Sequence, residues 1–137
     1  MSGRFELLEH TADIGLHLTG DSPADVLEAA GEGLAHLEGA WFPGEGTDRA
    51  VRLSAADLPA LLVSWLDELL YLRDAEDAVF GGFSVDEVTG ADVHARVRVA
   101  ARGQRVLDSI GVKAATYHGL RFERANGAWV ADVYLDV

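Results

Sequence analysis

The sequence contains no cysteine. Disulfides, thiolate nucleophiles and cysteine-bound zinc are excluded together, so any bound metal must rest on oxygen or imidazole. Cationic side chains are scarce as well: 11 Lys and Arg stand against 23 Asp and Glu, a formal charge of −12. Unaided binding to nucleic acid is therefore disfavoured, because its affinity comes from Lys and Arg displacing phosphate counterions. A basic partner or a cation suits the chain better, although most of the acidic residues read as solubilising surface. No apolar run approaches the length of a membrane span. Met1-Ser2-Gly3-Arg4 leads straight into strand-like residues, without the apolar stretch and cleavage site of a signal peptide. The expectation is a cytoplasmic protein with no membrane partner.

Enzyme signatures are thin too. No glycine-framed nucleophile precedes a helix, and Gly44-Glu45-Gly46 is no phosphate-cradling loop, lacking the Lys and Ser or Thr that end one. His17, His36, His94 and His118 show no metal-binding spacing and read as surface or capping residues. What remains is an ordinary globular composition, 49% hydrophobic and 25% charged over 137 residues, which is read as one domain spanning 1–137.

Along the chain, Phe5 to Leu8 reads as a short strand, and Ile14, Leu16 and Leu18 alternate with Gly15, His17 and Thr19 in the period of a half-buried strand. Ser22-Pro23 with Asp25 starts a helix, and Leu27, Ala30, Leu34 and Leu37 continue it. Gly31 and Gly33 each weaken that helix by about 1 kcal/mol relative to Ala, unless they serve close packing. Trp41 and Phe42 fall in a turn-rich loop from Gly39 to Asp48. Such aromatics form a contact surface or, more often, fold back on the core. Ala50 to Leu53 reads as a strand and Asp57 as an N-cap. Leu58, Leu61, Leu62, Trp65, Leu66, Leu69 and Leu72 then make a broad helical stripe, with Asp67, Glu68, Arg73 and Asp74 largely on its polar side.

The second half alternates with period two. Val79 to Val85 is strand-like, with Gly81-Gly82 permitting a bulge, and Val93, Ala95, Val97 and Val99 face away from Asp92, His94, Arg96 and Arg98. Arg102 to Val112 lacks periodicity and reads as a long mobile loop that delivers Lys113. Asn126-Gly127 is a two-residue hairpin turn. After it, Asp132, Tyr134 and Asp136 share one strand face, opposite Trp129, Ala131, Val133, Leu135 and Val137. Late antiparallel hairpins mixed with two helices give an α+β class.

Two features carry chemistry. Glu9-His10-Thr11-Ala12-Asp13-Ile14-Gly15 packs acids, an imidazole and a hydroxyl into a strand connection, and Gly15 adds backbone freedom. The chain closes on Leu135-Asp136-Val137. Asp13, Asp136 and an oxygen of Val137 would suit a hard cation, calcium or magnesium, if the first connection and the last strand end lie side by side. Residue type alone favours the plainer role for Asp13, a turn cap bonded to nearby N–H groups. Lys113 reads as an ordinary solvated lysine or as a contact to a phosphate or a partner's carboxylate.

Glu9-His10-Thr11-Ala12-Asp13-Ile14, Leu66-Asp67-Glu68-Leu69-Leu70-Tyr71, Val112-Lys113-Ala114-Ala115-Thr116-Tyr117-His118 and Leu135-Asp136-Val137 resemble, in order, the signature blocks of the archease family. The resemblance covers nearly the whole chain. It implies a small two-layer α+β protein with two helices and largely antiparallel sheets, a strand-helix-strand-strand module. It further implies a protein that is not itself an enzyme and has no catalytic residues of its own. Its implied role is to activate the GTP-dependent RNA ligase of tRNA splicing and RNA repair, promoting guanylylation and turnover and meeting RNA only through the ligase. A divalent cation, calcium in some members, would be held by Asp13, Asp136 and Val137. Lys113 would serve activation, and His10 and Thr11 would support the motif. The alternatives are a chaperone or scaffold acting through Trp41 and Phe42, and a metal-dependent hydrolase.

Overall fold

The structure is a computed structural model that describes residues 3–9 and 13–137. Ten elements follow in chain order: β1 (Arg4–Glu9), β2 (Asp13–Gly20), α1 (Pro23–Leu37), β3 (Thr47–Ser54), α2 (Leu58–Glu76), β4 (Ala78–Thr89), β5 (Asp92–Ala101), β6 (Ala114–Ala115), β7 (Arg121–Ala125) and β8 (Ala128–Asp136). They build two antiparallel sheets and two helices, the α+β class expected. One sheet runs β1-β2-β8-β6, with β7 also paired to β8; the other runs β3-β5-β4.

Local chemistry sets most boundaries. Ser22 is extended and its Oγ accepts the Asp25 N–H at 3.2 Å, while Pro23, which has no N–H to satisfy, opens α1. Asp57 caps α2 in the same way, accepting from the Ala60 N–H at 2.9 Å. Asn126 and Gly127 both have positive φ, 53° and 79°, the geometry of the tight turn that joins β7 to β8. The β4–β5 register shifts between Phe80 and Gly82, so the glycine pair does mark a bulge.

Both helices touch both sheets. On α1, the Cα of Gly31 sits against Phe83 of β4 and that of Gly33 against Leu16 and Phe5. Helix α2 is buried on more than the expected stripe, since Val63 and Leu70 are also inside. Trp65 is wholly buried and its indole N–H donates to the Leu27 carbonyl at 2.8 Å, which satisfies its polar atom and ties α2 to α1. Trp41 and Phe42 fold back on the core. Trp41 stacks on Phe83 with centroids 5.8 Å apart, and the Arg105 guanidinium lies 4.2 Å over the Phe42 ring.

The segment 102–112 is irregular, as expected, yet it is tied down. Ile110 N–H donates to the Leu37 carbonyl at 3.2 Å, and Val112 is buried. Arg73 also departs from expectation: its guanidinium turns from the polar side of α2 toward the buried Glu38 carboxylate. No helix among the described residues is long and apolar enough to cross a membrane.

Candidate functional site

The two chain segments singled out by residue type meet. β2 and β8 are neighbours, and their register sets Asp13 directly opposite Asp136. Ile14 and Leu135, the next pair along, pack on the core. Because side chains alternate, Asp13 and Asp136 both project from the opposite, outer face. Directly opposed residues bring their Cα atoms to about 4.5–5.5 Å, where two like charges repel. A hard cation between them would offset that repulsion, and two carboxylates are donors of the kind such a cation takes. Val137 follows Asp136 at the strand end and is partly exposed. Among the described residues no three His, Asp or Glu side chains gather as a metal-holding group. The supporting residues His10 and Thr11 lie outside the described residues.

Lys113 arrives at the same strand end. Its N–H donates to the Asp136 carbonyl at 2.7 Å, and β6 continues the pairing with Ala114 opposite Asp136. The Thr116 N–H and hydroxyl both donate to the Tyr134 carbonyl, at 2.9 and 3.0 Å. On the helix side, Asp67 Oδ1 accepts the Ala115 N–H at 3.4 Å, which attaches β6 to α2. Lys113 is the only lysine in the sequence. It is exposed and makes no ion pair among the described residues.

The outer face of this sheet holds a second polar row that residue types did not announce. His17 stands opposite Asp132, with Nδ1 2.5 Å from Oδ1, and the Arg121 Nε donates to Oδ2 at 2.5 Å. Burial pushes the Asp132 carboxyl up, but its hydrogen bonds from His17 and Arg121 outweigh this and hold it below the ordinary value. Between the rows lies Tyr134, opposite Gly15. A Cβ at position 15 would come 2.8 Å from the Tyr134 ring, so Gly15 serves to make room for that ring within a regular strand rather than to free the backbone. Half of the polar row was readable in advance. A two-residue turn at 126–127 pairs Ala125 with Ala128, and counting back places Arg121 opposite Asp132.

Fold and site together define a small α+β protein whose larger sheet ends in an acidic cross-strand pair beside one lysine. The profile of the Archease protein family (MTH1598/TM1083) matches residues 5–137, and the chain belongs to that family. It is 34% identical to the protein archease of Methanosarcina mazei, over 98% of this chain and 96% of that one. It is 37% identical to the protein archease of Thermococcus gammatolerans, over 98% and 99%. Its fold is similar to the solution structure of Methanobacterium thermoautotrophicum protein 1598, with a TM-score of 0.72 and 26% identity over 97% and 98% of the two chains. It is also similar to the crystal structure of a Thermotoga maritima archease described as a possible chaperone, with a TM-score of 0.66, 21% identity and 96% of each chain covered.

Proposed function

We propose that this protein is an accessory activator of a GTP-dependent RNA ligase acting in tRNA splicing and RNA repair, a partner protein rather than an enzyme. The observation that carries the reading is the in-register Asp13–Asp136 pair with the Lys113 backbone bonded to Asp136. It sets two anions and one exposed cation on a single strand end, a polar tip suited to a partner's active site. Asp13 and Asp136 hold a divalent cation, calcium or magnesium, with an oxygen of Val137 as a further ligand. A divalent cation bound there would offset the negative charge of the two opposed carboxylates. Lys113 contacts the ligase or its nucleotide. His10 and Thr11 support the motif that carries Asp13.

The charge of −12 supports a protein partner, because a ligase with an RNA-binding cleft is basic and attracts an acidic activator. RNA is met only through that ligase, and the complex works in the cytoplasm. The chaperone reading through Trp41 and Phe42 is weaker, since both rings are packed on the core.

The test is guanylylation of the cognate ligase with substoichiometric amounts of this protein. Stimulation and multiple turnover are expected; an unchanged ligase sinks the activator reading. Asp13→Ala and Asp136→Ala should each abolish stimulation and the rise in Tm that calcium produces. In the cation-free protein each should leave Tm unchanged or slightly higher, because one of two facing charges is gone. Full calcium response in both variants would remove these residues from the site. Phosphoester turnover by the protein alone would instead favour a hydrolase.

A further inference from the structure

Among the described residues Glu38 is the one charged side chain wholly inside, 1% exposed. A carboxylate there must be paired and hydrogen-bonded. Both of its oxygens are engaged: Oε1 by Arg73 Nη1 and Oε2 by the Ser109 hydroxyl. The same Arg73 nitrogen donates to the Val112 carbonyl at 2.7 Å, and Ser109 Oγ accepts the Gly111 N–H at 3.0 Å. Gly39, at φ 61°, lets the backbone of Asp108 come so close that a Cβ would lie 2.8 Å from its nitrogen. These contacts, from the ends of both helices, all fall on 108–112, and the next residue is Lys113.

We propose that Glu38 and Arg73, with Ser109, form a positioning clamp for Lys113. This rests on the reading of Lys113 as the activating cation. The clamp fixes the carbonyl immediately before Lys113 while the Asp136 carbonyl holds the Lys113 N–H, so both polar groups of the peptide plane that leads into Lys113 are held. An irregular segment left free would have to be ordered at each encounter with a partner, which weakens binding. Glu38 and Arg73 touch no partner themselves; they act through the segment they hold.

The test is the double variant Glu38→Leu/Arg73→Met, which removes both charges at similar volume and leaves neither orphaned. Its Tm should stay near that of the wild type. Amide exchange at Gly111, Val112 and Lys113 should quicken at least about tenfold, because the segment that carries them loses its anchors at the Ser109 hydroxyl and the Val112 carbonyl and opens more often. The half-saturating concentration for ligase stimulation should rise about tenfold with an unchanged plateau, since saturating ligase can still order the segment. Glu38→Gln, which keeps an acceptor for Arg73, should restore most of both. Unchanged exchange overturns the clamp. Faster exchange with unchanged half-saturation overturns its positioning role. If the double variant does not fold, Arg73→Lys decides: it keeps a charge on Glu38 but lacks the planar fork that reaches Val112, so exchange at 111–113 must still quicken. Exchange is measured on the protein alone, so a wild type that fails to stimulate the ligase counts against the ligase reading and leaves the clamp to the exchange result.

Discussion

Asp132 shows what a single carboxylate contributes when its two oxygens go to different strands. His17 of β2 and Arg121 of β7 both bind it, so one side chain joins three strands on the outer face. Its lowered pKa fixes the sign of a pH effect. A group whose folded pKa is depressed adds stability above the unfolded carboxylate value, near 4, and loses it as pH falls through the folded value. Asp132→Asn should therefore destabilise by roughly 1–2 kcal/mol at pH 7 and by progressively less as pH falls below the ordinary carboxylate range, read by urea unfolding at neutral and acid pH. An equal loss at both would mean that shape, not charge, holds the row together.

Helix α1 runs between surfaces of unequal tolerance, and its two interior glycines should answer differently to the same change. A Cβ at Gly31 meets the Phe83 ring at 2.8 Å, and that ring is held by Trp41, Phe80 and Trp65. Overpacking of about 1–3 kcal/mol then exceeds the roughly 1 kcal/mol of helix propensity that Ala brings. At Gly33 the nearest atoms are a Leu16 methyl and the Phe5 ring at 3.1 Å, a looser approach, and Phe5, on the edge strand β1, is only partly buried. Gly31→Ala should lower Tm and Gly33→Ala should leave it nearly level; a Gly31→Ala protein as stable as the wild type would mean that the Phe83 cluster yields. Glu28 gives α1 a further task. Its carboxylate accepts the Val85 N–H of β4 at 2.8 Å, and burial, partly offset by that bond, raises its pKa.

At the scale of the whole molecule, the charge of −12 places self-repulsion against compactness. Sodium chloride should raise Tm from about 10 to 300 mM by screening alone, while millimolar calcium at matched ionic strength should add a further rise that Asp13→Ala lacks. A Tm that ignores salt would show that the interleaved ion pairs already balance the surface. Much of the architecture was legible without coordinates. Ser22-Pro23 and Asp57 start helices because their side chains satisfy helical N–H groups locally, and Asn126-Gly127 turns because both residues tolerate positive φ. The period-two runs of β5 and β8 also told which side chains face the core.

Those signals act over a few residues, and the site does not. Asp13 and Asp136 are separated by nearly the full chain, and no local preference states which strands pair or in what register. Only the joint burial of Leu16, Leu18, Val133 and Leu135 sets β2 beside β8 so that the two carboxylates face each other. The segment 102–112 carries no periodicity, because its order comes from side chains on other elements, Glu38 and Arg73 above all. The sequence by itself determined the helices, the turns and the residue types available at the acidic tip. Tertiary structure decided that the two acids share one strand end, and that a buried ion pair holds Lys113 beside them, because packing of distant apolar faces alone fixes long-range register.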